Sequence, residues 1–168
     1  GEATLRWLLD SGARRIAVWS RRGAMPEVER RFVALAQERE AEIVTDAVDV
    51  SDAQRVASAL DRLRATGHPI TGVVHAAGVL DDGTLAQLTP ERINRVLQPK
   101  VAGAWNLHAA TLSDPIDTFV LYSAIGSLMD GAGQGSYSAG NAFLDALATR
   151  RRDSATPQKL GTSTSVFP

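Results

Sequence analysis

Strand-like and helix-like periods alternate along most of this chain, which restricts it to an α/β fold built on parallel strands. Glu2 to Asp10 has helical spacing and stops at Ser11-Gly12, and Arg15 to Ser20 (R-I-A-V-W-S) has the apolar run of a strand. Pro26 to Glu40 is helical in pattern with Pro26 near its start, and Glu42 to Val48 forms the next strand. Ser51 is a plausible N-cap for a helix through Arg64. Thr71 to His75 predicts a strand, Thr89 to Ala110 one long helix, Asp117 to Ser123 a strand, and Tyr137 to Arg152 a helix. Right-handed β-α-β crossovers then give one doubly wound parallel sheet with helices on both faces. Ligands of such sheets bind outside the carboxyl ends of the strands.

The rest of the composition narrows the class. With 168 residues, 44% of them hydrophobic, the chain is long enough for one domain with a substantial core. Its net charge of −1 implies no attraction to nucleic acid or to a membrane surface. Without cysteine there is no disulfide framework and no thiol chemistry, compatible with a reducing cytoplasm. No apolar run approaches the roughly 20 residues that span a bilayer, and G-E-A-T-L-R-W lacks the basic start of a secretory signal. No cluster suggests a metal site.

Chemistry concentrates between Ser123 and Asn141, S-A-I-G-S-L-M-D-G-A-G-Q-G-S-Y-S-A-G-N. Ser123 ends a predicted strand, and a loop containing Gly131, Gly133 and Gly135 lets the chain turn back toward Tyr137. Tyr137 and Asn141 lie four apart, on one face of a helix. A serine, a tyrosine and an asparagine can thus converge on one carbonyl, and that spacing points to reduction of a ketone. An unperturbed phenol has a pKa of about 10 and donates its proton poorly, so a neighbouring ammonium is needed to stabilise the phenolate.

These residues resemble the short-chain dehydrogenase/reductase superfamily, and more closely the ketoreductase domains of modular polyketide synthases and the related animal-type fatty acid synthase. Most of the superfamily carries Tyr-x-x-x-Lys, whereas this chain has Tyr137-x-x-x-Asn141. In polyketide ketoreductases the lysine comes from the preceding long helix in a K-V-x-G motif, here Lys100-Val101-Ala102-Gly103. The resemblance implies Lys100, Ser123, Tyr137 and Asn141 as the catalytic set and NADPH as cofactor. It is strongest from Gly72 to Arg152 and fades after Asp153.

The resemblance also assigns cofactor residues, each with a plainer alternative. Ser20-Arg21-Arg22 follows the strand after which a guanidinium can hold the 2′-phosphate of NADP, although an arginine pair in a loop is commonly just solvated surface. Asp49-Val50 matches a position beside the adenine, although an aspartate before a helix can simply cap it. His75-Ala76-Ala77-Gly78 matches a turn whose small residues Ala76, Ala77 and Gly78 let a dinucleotide approach, with no acid/base role for His75. Gly1 fits the last glycine of the T-G-G-x-G-x-L-G phosphate loop, so the first strand and most of that loop are expected to precede this sequence. Toward the other end, Thr162 to Phe167 is a candidate last core strand.

Leu80-Asp81-Asp82 matches the L-D-D motif of B-type ketoreductases, which implies a D-configured (R) β-hydroxyl product. With Gln134 these residues would steer the acyl-phosphopantetheine arm, although D-D-G would equally serve a turn. The expected partners are an acyl carrier protein bearing a β-ketoacyl chain and the other domains of a synthase. Two rivals stand beside this expectation: a reductase-inactive scaffold or epimerase of the same fold, and a truncated, non-catalytic fragment. Presence of all four catalytic positions argues against a lost site.

Overall fold

The computed structural model describes residues 1–125, 132–154 and 165–166, the last pair through its backbone alone. Gly131 of the glycine loop and most of the 162–167 segment lie outside the described residues. The chain divides into two compact units, Gly1–Asp49 and Val50–Pro168.

In the first unit, helix α1 (Glu2–Asp10) leads to strand β1 (Arg15–Ser20), helix α2 (Pro26–Glu38) and strand β2 (Glu42–Ala47). Pro26 opens α2, where its missing N–H has no helical partner to lose. The strands pair in parallel, Arg15 beside Glu42 through Ser20 beside Ala47. Leu5 and Leu9 of α1 and Phe32 and Leu35 of α2 bury their side chains together, with Ile16, Val18 and Ile43 of the strands packed against them. Those i, i+4 and i, i+3 spacings are why the two helices turn these faces inward.

The second unit contains α3 (Ala53–Arg64), β3 (Gly72–His75), α4 (Pro90–Leu97), α5 (Gly103–Ala110), β4 (Thr118–Tyr122), α6 (Gly135–Ser154) and β5 (Ser165–Val166). Strand β4 pairs in parallel with β3 on one side and with β5 on the other. Val73, Phe119, Val120 and Leu121 of the sheet are buried, as are Val56, Leu60, Val96, Leu107, Leu144 and Leu147 of the helices. Strand β5 falls inside the segment anticipated as the last core strand.

Three expectations change. Among the described residues the strands form two ladders, β1-β2 and β3-β4-β5, rather than one sheet, because no strand pairs with both β1 and β3. The cap of α3 is Asp52, whose Oδ1 accepts from the backbone N–H of Gln54 and Arg55, both at 3.0 Å; Ser51 lies one residue too early to do so. The long helix anticipated from Thr89 to Ala110 is interrupted by a π-helical turn, Gln98–Ala102, between α4 and α5. Pro99 supplies the cause: it has no N–H, and its ring crowds the carbonyl four residues back, so the tight ladder opens there.

The end of α3 is clamped to the end of α5 by Arg64. Its Nε and Nη2 bond the two Asp114 carboxylate oxygens at 3.0 and 2.6 Å, and Nη2 also donates to the Ala110 carbonyl at 2.7 Å. The Asp114 side chain is only 9% exposed, so losing the guanidinium would leave a nearly buried carboxylate unpaired. Arg64→Ala is therefore expected to lower stability by about 2–3 kcal/mol in urea unfolding, somewhat under the cost for a fully buried pair. An unchanged midpoint would show that solvent replaces the clamp.

Candidate active site

Lys100 is the hub. It lies in the π-helical turn and is only 4% exposed. An ammonium so buried needs partners, and it has three. Nζ donates to Asn141 Oδ1 at 2.5 Å and to the Tyr122 carbonyl at 3.3 Å, and it lies over the Tyr137 ring, 4.7 Å from the centroid. Burial holds the ammonium below the ordinary lysine value, with the charge of Asp145 on α6 opposing that shift.

Small residues make room for the lysine stem. A Cβ on Gly140 would come within 3.1 Å of Lys100 Cδ, and one on Gly78 would lie 3.4 Å from its Cε. Gly103, the last residue of K-V-x-G, starts α5, where a Cβ would collide with Val50 Cγ2 at 2.7 Å and crowd His75 Cε1 at 3.1 Å. The motif's glycine thus lets α5 seat against Val50, whose carbonyl also accepts from Asn106 Nδ2 at 2.9 Å.

The other three members surround this hub. Ser123 follows the end of β4, is 2% exposed, and donates through Oγ to the backbone carbonyl of Asn141 at 3.4 Å. Asn141 is fully buried on α6, one turn after the half-buried Tyr137. Hydrogen bonds therefore join Lys100, Asn141 and Ser123, and the ring contact adds Tyr137 to them. Burial pushes the pKa of His75 down to about 4, with the backbone of Lys100 and Pro99 opposing, so the ring is neutral at physiological pH.

Ala76 and Gly78 are exposed just after β3, with Ala77 half-buried between them. In the first unit, the chain turns after β1: Ser20 Oγ donates to the Gly23 carbonyl at 2.7 Å, and Gly23 takes the left-handed φ of 74° that closes the turn. Arg21 and Arg22 project from it, exposed and without an ion pair among the described residues. Asp49 ends that unit half-buried. Gly1 precedes α1 and accepts from the Leu5 N–H at 3.0 Å, and a Cβ there would meet nothing within 4 Å.

The Leu80-Asp81-Asp82 segment is more than a turn. Asp81 is ion-paired with Arg92 at 2.7 Å and Arg95 at 3.1 Å, and the Arg92 guanidinium holds its carboxyl below the usual carboxylate range. Asp82 Oδ2 accepts from Gln134 Nε2 at 3.0 Å, while Leu80 stays 64% exposed. Sequence reasoning passed over Arg92 and Arg95. Their i, i+3 spacing at the start of an amphipathic helix, a few residues after two aspartates, was the available signal.

Comparison with known proteins identifies the family. The KR domain family matches residues 1–166. A phenolphthiocerol synthesis polyketide synthase type I, Pks15/1 of Mycobacterium marinum, is 45% identical over 153 residues, covering 90% of this chain and 7% of that protein. The ketoreductase from the first module of phoslactomycin biosynthesis in Streptomyces sp. HK803 superposes with a TM-score of 0.84 at 37% identity, covering 98% of this chain and 37% of that one. An A-type ketoreductase of a modular polyketide synthase superposes at 0.87 with 32% identity, over 99% of this chain and 34% of that one. This chain thus spans a small part of the curated relative and about a third of the solved ketoreductases. Carrying the Rossmann-like α/β fold of those structures and the family match over nearly its full length, the chain belongs to the ketoreductase (KR) domain family of polyketide synthases.

Proposed function

We propose that both units are parts of one catalytic domain that reduces a β-ketoacyl thioester, carried on an acyl carrier protein in the cytoplasm, to the D-(R)-β-hydroxyacyl thioester during polyketide chain extension, with NADPH as reductant. The observation that carries this reading is the buried Lys100 ammonium, delivered by a π-helical turn to Asn141 Oδ1 and the Tyr137 ring. A short helix irregularity of this kind is a common device for presenting a functional side chain.

The residues present suit a dinucleotide. The Ala76-Ala77-Gly78 turn lacks bulk, and its glycine leaves the Lys100 stem clear, since a Cβ there would reach to 3.4 Å of Cε. The exposed guanidinium groups of Arg21 and Arg22, without an ion pair among the described residues, have the charge and fork geometry for a 2′-phosphate. Asp49 and Val50 would border the adenine, Lys100 and Tyr137 the nicotinamide ribose, and Gly1 and Ser20 the phosphates and ribose of the other end. When bound, the cofactor supplies a hydride to the β-carbon.

The chain's own groups do the rest. Ser123 and Tyr137 hydrogen-bond the ketone oxygen, where negative charge grows as the carbonyl is reduced. Tyr137 gives that oxygen its proton. Lys100 favours the phenolate left behind, because a nearby positive charge stabilises the ionised form. Asn141 fixes the lysine and orders the path by which the tyrosine is reprotonated. The L-D-D residues and Gln134 select the face of the ketone.

The test is NADPH oxidation with a β-ketoacyl thioester, followed by resolution of the hydroxyl configuration. Turnover to the D-hydroxyacyl product supports the reading, whereas cofactor binding without turnover favours a reductase-inactive scaffold or an epimerase. Arg21→Ala and Arg22→Ala are each expected to weaken NADPH by about tenfold or more, the loss of a charge-assisted hydrogen bond, and NADH far less. Equal losses for the two cofactors would remove the arginines from 2′-phosphate recognition.

A further inference from the structure

The polar contacts around Leu80–Gln87 converge on one side chain that no sequence motif singles out. Arg92, on the first turn of α4, donates from Nε and Nη2 to Asp81 Oδ1 at 2.9 and 2.7 Å, from Nη2 to the Asp82 carbonyl at 2.6 Å, and from Nη1 to the Gln87 carbonyl at 2.9 Å. Its guanidinium occupies the space a side chain at Gly83 would need, where a Cβ would stand 2.8 Å from Nη1 and 3.0 Å from Nη2. The glycine of D-D-G is therefore the seat of Arg92.

The same loop is tied onward to α6. Gly83 N–H donates to the Gly133 carbonyl at 2.8 Å, and Gln134 Nε2 reaches Asp82 Oδ2 at 3.0 Å. Gly133 adopts a left-handed φ of 82°, the conformation that favours glycine, and a Cβ there would be in ordinary contact with the Gly83 backbone at 3.5 Å. The Gln134 carbonyl in turn accepts from the Ser138 N–H at 2.8 Å, on the first turn of α6 beside Tyr137. Among the described residues, the loop's own leucines do not anchor it: Leu80 is 64% and Leu85 90% exposed. Hydrogen bonds through one guanidinium do the holding, and Arg95, whose own side chain is 63% exposed, is a weaker second support.

We propose that Arg92 is a positioning residue for the reduction: it locks the Leu80-Asp81-Asp82 loop onto α4 and, through Asp82 and Gly83, onto the residues that open α6 before Tyr137, so that it governs which face of the ketone is reduced. This inference rests on the reductase reading above for its catalytic consequence, but the mechanical coupling stands apart from it. The fork makes four hydrogen bonds to these three acceptors from Nε, Nη1 and Nη2, a spread of donors that the compact ammonium of lysine does not reproduce.

The experiment compares the chain with Arg92→Gln, Arg92→Lys and Gly83→Ala by hydrogen–deuterium exchange, and by kinetics with NADPH and a β-ketoacyl thioester. In Arg92→Gln, exchange is expected to rise by about tenfold or more in peptides covering both 79–88 and 132–138, with β4 and α3 unchanged, since loss of these bonds frees a local unit rather than the core. The thioester KM is expected to rise more than kcat falls, with the ratio of hydroxyl epimers eroding by about tenfold as one face loses its preference. Arg92→Lys should restore part of the protection. Gly83→Ala, which keeps the arginine but displaces it, should reproduce the coupled loosening even if Arg92→Gln folds poorly. Loosening confined to 79–88, or an epimer ratio untouched by a loosened loop, would overturn the proposal. A parent chain that reduces no thioester would instead sink the reductase reading, and the exchange comparison would still decide the coupling.

Discussion

Replacing Tyr137 with phenylalanine is expected to abolish reduction of a β-ketoacyl thioester, by at least about 10³-fold in kcat, while leaving NADPH affinity nearly unchanged. The substitution is clean because of what it retains. Lys100 Nζ contacts the face of the Tyr137 ring, 4.7 Å from its centroid, and a phenylalanine ring offers the same face. Half-buried packing on α6 is retained as well, and the other Lys100 bonds, to Asn141 Oδ1 and the Tyr122 carbonyl, do not involve the phenol. Only the hydroxyl is lost, and with it both a proton donor and one of two hydrogen bonds to the developing oxyanion. General-acid catalysis contributes about 10²–10⁴-fold, and the oxyanion contact adds to it incompletely because the two act as a unit. NADPH oxidation and a separate fluorescence titration of cofactor binding measure the two quantities. A phenylalanine variant that keeps most of its turnover would take the tyrosine out of the mechanism.

β1 falls on Arg15–Ser20 as anticipated, because a short apolar run between a Ser-Gly stop and an Arg-Arg-Gly turn leaves little freedom for its ends. The interruption of the long helix was not anticipated, although Pro99 was visible, because an apolar stripe of period 3.6 continues across a π-helical turn and hides the lost ladder bonds. The cap of α3 moved from Ser51 to Asp52 since two cap-forming residues stand side by side and only the backbone angles of one decide between them.

That Tyr137, Asn141 and Ser123 come together was legible, because a strand end and one helix face place them, while Lys100 was expected beside them only through the resemblance. Their contacts were not. Nothing in a sequence says that Ser123 meets the backbone carbonyl of Asn141 rather than its amide, or that Gly140 exists to let the Lys100 stem pass. Arg92 was passed over for a related reason: its spacing to Arg95 was visible, but its acceptors are an aspartate eleven residues earlier and two backbone carbonyls, and only folding brings these together. Long-range polar contacts made by loops carry no period, whereas packed faces do.

Lys100→Met should separate stability from activity at the centre of the site. Reduction is expected to fall by at least about 10²-fold at neutral pH, because the phenol loses the charge that fits it for proton transfer. Stability should not fall in step. The substitution leaves Asn141 Oδ1 without its donor, a cost of about 1–3 kcal/mol, but it also removes a buried charge whose desolvation is of similar size. The pH dependence gives the sharper test. Burial depresses the Lys100 pKa, so between that lowered value and the ordinary lysine value the unfolded chain holds the proton more firmly than the folded one. Stability of the parent therefore rises with pH through that alkaline window, and below it the cost of the buried ammonium is fully present. In Lys100→Met the rise contributed by this group disappears, and denaturant midpoints measured from neutral to alkaline pH should show the flatter profile. Lys100→Arg should rescue neither property. Gly78 and Gly140 leave room for a slender stem, as the 3.1 Å approach of a Gly140 Cβ to Cδ shows, and a planar guanidinium is too broad for that passage. An arginine variant with parent-like turnover would mean that any cation near Tyr137 suffices, and a methionine variant with the parent's alkaline slope would mean that another group titrates there.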